Sequence, residues 1–174
     1  MIPILLKILK TGVLTEDPPG AREEWRVRAA QIQDNVLKLL GRALVIRHVD
    51  AGSCNGCELE LQALNNPYYN IEGLGIRFAA SPRHADMLLV TGPVSKHMEA
   101  ALRIVYDAMP DPKLVVAVGD CGRDGGIWSG SYATCGGVAR VIPVDVVVPG
   151  CPPPPAAILQ GILTAISSRS PPKG

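Results

Sequence analysis

The sequence predicts an α/β fold, a flavodoxin-like doubly wound parallel sheet preceded by an N-terminal helical arm. Short runs rich in Val, Leu and Ile alternate with longer stretches of helical character, which is the pattern of a parallel sheet that is buried on both faces. Three of these runs lead directly into loops that contain glycine and cysteine. Loops that leave the carboxyl ends of parallel strands meet at one edge of the sheet, so we expect these loops to converge.

The arm comes first along the chain. Residues 1–19 form an apolar segment with two lysines, and the TEDPPG sequence at its end cannot continue a helix. From Ala21, apolar residues recur at steps of three and four positions, which places them on one face of a helix that ends at Gly41. The apolar positions are Trp25, Ala29, Ile32, Val36, Leu39 and Leu40.

Strands and helices then alternate. The β-branched runs predict strands over Ala43–Val49, Gly75–Ala79, Ala85–Val90, Leu114–Val118 and Val144–Val148. Helices are predicted from the turn after the first strand to Leu64, over Val94–Ala108 and over Pro154–Ile166. We therefore divide the chain into an arm with an amphipathic helix (1–41), a metal-binding α/β domain (42–169) and a flexible polar tail (170–174).

Composition narrows the class of protein. A chain of 174 residues fits one domain with a hydrophobic core. A net charge of +1 and an aromatic content of 4% provide neither the basic stripe nor the stacking surfaces of a nucleic-acid-binding protein. No apolar run reaches the length of a membrane span, and the apolar start lacks a cleavage site for secretion. These features predict a cytosolic protein, in which cysteines more often bind metal or perform redox chemistry than form disulfides.

Four of the five cysteines follow predicted strands. Cys54 and Cys57 stand in GSCNGC, Cys121 in VGDCG and Cys151 in VPGCPPPP. Because the carboxyl ends of the strands share an edge, we expect the four thiols to meet there. Four thiolates are the usual ligands of an iron–sulfur cluster. The sequence therefore predicts one cluster and a role in electron transfer.

The Cys-Asn-Gly-Cys turn suits such a cluster. Gly52 and Gly56 are expected to let the backbone curl around the two sulfurs. The next segment, ELELQALNN, predicts the start of a helix directly after Cys57. The positive end of its dipole favours the negative charge of a thiolate-bound cluster.

Other interpretations of the cysteines remain open at this point. A thioredoxin-like dithiol explains the Cys-x-x-Cys pair but gives Cys121 and Cys151 no role. A structural zinc site with four cysteines usually has two close pairs, whereas this chain has one. Inert buried cysteines are common, although four of them in glycine-rich loops would be unusual. Cys135 has no predicted strand end beside it and lies in a loop that leads to a helix, so we interpret it as a packed free thiol.

The motifs GSCNGCELE, SPRHAD, VGDCGRDGG and IPVDVVVPGCPPPP resemble the small subunit of membrane-associated, complex-I-related nickel–iron hydrogenases, the formate hydrogenlyase type included. They are also similar to the 20 kDa iron–sulfur subunit of complex I, and the resemblance covers residues 43–168. It implies one [4Fe-4S] cluster bound by Cys54, Cys57, Cys121 and Cys151, in an oxidoreductase subunit that is not active alone. Complex I subunits carry adjacent cysteines in the first motif, so the spaced pair here favours the hydrogenases.

The resemblance also implies partners. The nickel–iron site would lie in a hydrogenase large subunit, because this chain has a single Cys-x-x-Cys pair that the cluster already occupies. Electrons would then pass to or from a ferredoxin-like iron–sulfur subunit. Membrane subunits would hold the complex on the inner, cytoplasmic face of the cell membrane as a peripheral assembly. The alternative is a complex I 20 kDa-like subunit whose cluster reduces quinone.

Five further residues are candidates for function. Glu60 follows the cysteine pair and is a candidate proton relay, although a carboxylate there also complements the helix dipole. Arg83 and His84 in SPRHAD either face the cluster, where a cation raises its potential, or are solvated loop charges. Lys7 and Lys10 suggest that the arm docks on a membrane subunit or on the bilayer surface, against the simpler interpretation of an intersubunit arm.

Overall fold

A computed structural model describes residues 2–12, 27, 30, 34 and 41–168. The arm begins with helix α1 (Ile2–Thr11). The amphipathic helix predicted up to Gly41 lies mostly outside the described residues, of which Val27, Ala30 and Asp34 are helical. None of the described helices is both long and apolar enough to cross a bilayer.

The α/β domain contains seven strands. In chain order they are β1 (Leu44–Asp50), β2 (Ile76–Phe78), β3 (Met87–Thr91), β4 (Val94–Ser95), β5 (Leu114–Val118), β6 (Thr134–Gly136) and β7 (Val146–Val148). Five of them form a parallel sheet in the order β2-β1-β3-β5-β7. This is the strand order of the flavodoxin-like fold, which confirms the predicted fold class.

Helices cover both faces of the sheet. They are α2 (Gly56–Ala63), α3 (Lys96–Ala108), α4 (Gly119–Asp124) and α5 (Pro155–Ser167). One buried cluster contains Leu61 of α2 and Ile158 of α5, and a second contains Leu102 of α3. Successive residues of β3 alternate between the two clusters, with Leu88 in the second and Leu89 in the first. Burial on both faces explains why the strand sequences are continuously apolar.

Most strand and helix boundaries differ from the prediction by one or two residues, and one strand pairing was not predicted. β7 begins at Val146, two residues later than predicted, because Asp145 bonds to β5 through its side chain. The Val115 N–H donates to Asp145 Oδ2 at 2.7 Å, and the Asp145 N–H donates to the Val115 carbonyl at 2.9 Å. Val94, predicted as the start of a helix, instead pairs with Gly136 in a two-stranded antiparallel sheet, and helix α3 begins at Lys96.

The assignment of Cys135 to a loop was wrong. It is the central residue of β6, the partner of β4. Its thiol lies 3.3 Å from Glu99 Oε2 and donates to it. β6 contains no run of apolar β-branched residues, so its sequence does not indicate a strand.

Candidate metal centre

Three loops at the carboxyl edge of the sheet carry the four cysteines. Cys54 and Cys57 follow β1, Cys121 follows β5 as part of α4, and Cys151 follows β7. β1 and β5 flank β3, and β7 lies beside β5. All of these strands are parallel, so the loops leave the same edge.

The structure brings the four thiols together. Burial raises the pKa of Cys57 to about 12, and negative charge on Glu58, Cys121, Cys54 and Cys151 adds to the effect in that order. Burial also raises the pKa of Cys121, followed by the charges of Cys151 and Cys54. Each of these sulfurs is therefore within electrostatic range of others in the set. Uncompensated thiolates at this edge are unfavourable, and a metal cation would relieve that cost.

Cys135 does not belong to this set. Burial raises the pKa of its thiol, followed by the hydrogen bond to Glu99 and the charge of that carboxylate. The other charges that act on it are those of Lys96 and Arg103. The structure thus places the fifth cysteine apart from the other four, and its role as a free thiol stays a prediction.

The turn before α2 is built by hydrogen bonds. The Asp50 carboxylate accepts from the N–H groups of Gly52 at 2.8 Å and Ser53 at 2.7 Å. Ser53 Oγ accepts from the Asn55 N–H at 3.1 Å and donates to Glu58 Oε2 at 2.6 Å. Asn55 itself has a left-handed backbone, with φ 70°.

The expectation for the glycines of this turn was half right. Gly52 has a φ of +119°, as its predicted role requires. Gly56 does not have a positive φ; Asn55 takes the left-handed position instead, which asparagine tolerates better than most residues. A Cβ on Gly56 would lie 3.5 Å from Cys54 Sγ, an ordinary contact distance.

Two other glycines lie directly against sulfur atoms. A Cβ on Gly119 would be 2.8 Å from Cys57 Sγ, and one on Gly126 would be 3.0 Å from Cys121 Sγ. Any side chain at these positions would crowd the thiols. The absence of a Cβ leaves room around the sulfurs on the side that faces the backbone.

Part of the edge is open. Cys54 and Cys151 are exposed, whereas Cys57 is buried. A cavity of about 310 Å³ lies between the loops after β5 and β7, lined by Asp120, Cys121, Arg123, Asp124, Gly126, Ile127 and Cys151. Among the described residues, no group of three or more His, Cys, Asp or Glu side chains is arranged to hold a single metal ion. The donor set of four thiols from three loops fits a multinuclear cluster, which accepts scattered thiolates.

Comparison with known proteins identifies the family. Residues 54–165 match the sequence profile of the family described as "NADH ubiquinone oxidoreductase, 20 Kd subunit". The chain belongs to this family. The matched range includes all four clustered cysteines, both of the loops that follow β5 and β7, and most of α5.

Curated relatives support the assignment to the 20 Kd subunit family. The chain is 45% identical to the "probable membrane-bound hydrogenase subunit mbhJ" of Pyrococcus furiosus, over 83% of this chain and 84% of that protein. It is 42% identical to formate hydrogenlyase subunit 7 of Escherichia coli, over 79% of this chain. That match covers 54% of the Escherichia coli protein, so the chain spans about half of that relative's length.

Solved structures show the same fold. A chain from the membrane-bound sulfane sulfur reductase, an archaeal respiratory membrane complex, superposes with a TM-score of 0.65 at 33% identity, covering 79% of this chain and 75% of that one. A chain of an NAD⁺-reducing nickel–iron hydrogenase superposes with a TM-score of 0.58 at 19% identity, covering 75% of this chain and 94% of that one. At that identity the second likeness concerns the fold alone.

The other predicted site residues lie outside the thiol set. Glu60 is half-buried on α2, and its charge helps to raise the pKa of Tyr69, after burial and the charge of Tyr68. Arg83 and His84 are exposed on a short 3-10 turn between β2 and β3. Neither residue is among the charges that shift the pKa of Cys57 or Cys121.

Glu58 is the residue that the sequence analysis undervalued. It is 8% exposed, and its Oε1 lies 3.9 Å from His48 Nε2. Burial lowers the pKa of His48, although the negative charge of Glu58 acts in the opposite direction. Glu58 Oε1 and Arg47 Nε are buried without a hydrogen-bond partner among the described residues. Both residues line a cavity of about 490 Å³ beside the Cys54–Cys57 turn. The position directly after Cys57 was the one signal in the sequence.

Proposed function

We propose that this chain is an electron-transfer subunit that binds one [4Fe-4S] cluster through Cys54, Cys57, Cys121 and Cys151. Its electrons would pass to or from the nickel–iron site of a large-subunit partner, in a membrane-associated hydrogenase complex of the formate hydrogenlyase type. The chain would be an oxidoreductase subunit that is not active alone. The single observation that carries the proposal is the convergence of four thiols from three loops at one sheet edge.

The chain's own residues have defined tasks in this proposal. When bound, the cluster supplies one-electron transfer. Cys57 and Cys121 would hold its more buried side, and Cys54 and Cys151 its exposed side. Each thiol must lose a proton on binding, so loading releases protons to solvent. Gly119 and Gly126 leave space against the sulfurs.

The proposed partners follow from the thiol count and from the relatives. Within the described residues the four clustered thiols are committed to one site, which leaves only Cys135. A nickel–iron site would therefore lie in a large subunit, with a ferredoxin-like subunit for onward transfer and membrane subunits for attachment. Two relatives are named as a membrane-bound hydrogenase subunit and a formate hydrogenlyase subunit, which supports a membrane-associated assembly. We propose that the assembly lies on the cytoplasmic face.

A second candidate comes from the family description, which names a subunit of NADH ubiquinone oxidoreductase. In that case the partner would lack nickel and the cluster would reduce quinone. The spaced Cys54-Asn55-Gly56-Cys57 motif favours the hydrogenase. The electron-transfer role of this chain would be the same in both.

The cluster is tested by the metal content of anaerobically purified protein. We expect about four irons and acid-labile sulfide per chain, as four-cysteine ligation implies. Serine variants at Cys54, Cys57, Cys121 and Cys151 should each lose iron, whereas Cys135→Ser, the matched control, should retain it. Stoichiometric zinc without sulfide would replace the cluster by a structural zinc site. Iron loss in Cys135→Ser would mean that the four ligands are wrongly chosen.

The partner is tested in the purified complex. Under anaerobic hydrogen, a hydrogenase complex should contain nickel and should reduce the cluster, which is followed by its paramagnetic signal. The isolated chain should accept electrons from a strong reductant but neither evolve nor oxidise hydrogen. If nickel is absent and hydrogen leaves the cluster oxidised, the quinone-reducing alternative takes the place of the hydrogenase.

A further inference from the structure

Helix α1 presents leucines and lysines to solvent. Leu6 and Leu9, three residues apart, share one side of the helix and are 60% and 79% exposed. Lys7 and Lys10 have the same spacing and are also exposed. Helices that combine an apolar side with lysines are typical of segments that lie at a bilayer surface.

The charge around α1 has one sign. Residues 1–15 contain two lysines and no Asp or Glu, and the first acidic residue is Glu16. Lys10 lies in the last turn of the helix, where a cation complements the dipole. An anionic surface would therefore attract this segment, and nothing acidic within it would oppose that attraction.

The described length of α1 suits a position at the surface of a membrane. Ten residues of helix extend about 15 Å, which is roughly half of the hydrocarbon thickness. The helix can lie in the plane of the interface but cannot cross it. α1 lies before the range that matches the family model, residues 54–165.

We propose that α1 binds the surface of an anionic bilayer. Leu6 and Leu9 would enter the boundary between headgroups and acyl chains, and Lys7 and Lys10 would contact lipid phosphate and carboxylate groups. Lysine is depleted at the core of protein–protein interfaces, and lysines are the only charged residues of α1. The composition therefore favours lipid over a protein partner.

The test is co-sedimentation of the full chain with vesicles. Vesicles that contain phosphatidylserine are compared with vesicles of phosphatidylcholine alone. We expect binding to the anionic vesicles, and weaker binding as salt is added, because salt screens surface charges. Lys7→Gln/Lys10→Gln should weaken that binding about 30-fold, since each lysine contributes roughly 1 kcal/mol near an anionic surface. Leu6→Gln/Leu9→Gln should reduce binding at least about tenfold, because it removes the buried apolar area.

The matched control is Lys96→Gln/Ile104→Gln. These residues lie on α3, where Lys96 is exposed and Ile104 is 67% exposed. The control removes the same charge type and a similar exposed apolar group from another surface, and it should bind vesicles like the wild type. Circular dichroism should show the same helix content in all variants. Iron content should also be unchanged, so this test is independent of the proposed cluster.

Three results would overturn the proposal. The first is that the wild-type chain stays in the supernatant with anionic vesicles at low salt. The second is that the chain binds neutral and anionic vesicles equally. The third is a set of α1 variants that bind vesicles normally but lose the membrane subunits during purification of the complex. In that case α1 docks on protein and not on lipid.

Discussion

Asp120 and Gly150 exchange two hydrogen bonds across the loops that follow β5 and β7. The Asp120 N–H donates to the Gly150 carbonyl at 2.8 Å, and the Gly150 N–H donates to Asp120 Oδ1 at 3.1 Å. Arg123 pairs with the same Asp120 oxygen at 3.0 Å. The residue directly before Cys121 is thus hydrogen-bonded to the residue directly before Cys151. The distance between these two thiols depends on those hydrogen bonds.

Asp120→Ala should loosen this connection. The substitution removes the acceptor of the half-buried Gly150 N–H, so we expect the free energy of unfolding to fall by about 1 kcal/mol. Denaturant unfolding of the iron-free chain measures this change, and iron content after reconstitution should fall with it. Asp107→Ala, an exposed aspartate on α3, is the control and should change neither. Full iron retention in Asp120→Ala would show that the loops hold their positions without this pair.

Gly119→Ala tests the contact between backbone and sulfur. Gly119 has a φ of +83°, and an added Cβ would lie 2.8 Å from Cys57 Sγ. Gly130 has the same φ of +83° but open space around it, so Gly130→Ala isolates the backbone strain of about 1–2 kcal/mol. We expect Gly119→Ala to be the less stable variant and to lose iron, whereas Gly130→Ala keeps it. Equal iron content in the two variants would show that cluster binding by Cys57 does not need the space beside Gly119.

Alkylation of the iron-free chain should distinguish Cys57 from Cys54. With a pKa of about 12 for Cys57, about one thiol in ten thousand is ionised at pH 8, and only the thiolate reacts. Iodoacetamide should therefore label the exposed Cys54 well before Cys57, as peptide mass spectrometry would record. Between pH 8 and 11 the rate at Cys57 should rise nearly tenfold per pH unit, because its thiolate fraction does so.

Glu58→Gln provides the variant for the same experiment. The Glu58 charge is the second largest cause of the raised pKa of Cys57, after burial. Neutralising it should lower that pKa and speed labelling of Cys57 at constant pH. Glu72→Gln, at an exposed position, should have no effect. A Cys57 that reacts as fast as Cys54 in the wild type would contradict the raised pKa.

Glu60→Gln tests the predicted proton relay. The variant preserves the size of the side chain and removes its titratable proton, so we expect normal assembly, an intact cluster and slow turnover of the complex. A carboxylate that only complements the helix dipole predicts a stability loss of about 0.3–1 kcal/mol instead. Hydrogen turnover at full cluster occupancy is the measurement. Normal turnover would leave Glu60 with the helix-dipole role alone.

The sequence was sufficient to predict the parallel sheet because strands that are buried on both faces have continuously apolar sequences. Leu114–Val118 was predicted with the bounds that the structure shows, since both faces of that strand are buried. The four thiols were found because three of the five predicted strands lead into glycine-rich loops that contain cysteine. Chain order and the shared carboxyl edge then implied their convergence without any distance information.

The features that the sequence did not predict depend on contacts that composition does not reveal. The pairing of β4 with β6 joins short segments far apart in the chain, and neither has enough residues to show a period. The late start of β7 depends on the Asp145 side chain, which substitutes for a strand contact. Glu58 was not among the predicted site residues, because burial of its carboxylate against Ser53 and His48 follows from packing alone.

The placement of the cysteines on the first, fourth and fifth strands of the parallel sheet has a consequence for biosynthesis. Cys54 is translated well before Cys151, which follows β7 and lies 97 residues later in the chain. We expect nascent chains that end before β7 to bind no cluster, because they lack the fourth thiol. Cluster insertion would then occur only after the loop that follows β7 has been translated, and it would mark the chains in which all four thiols are present.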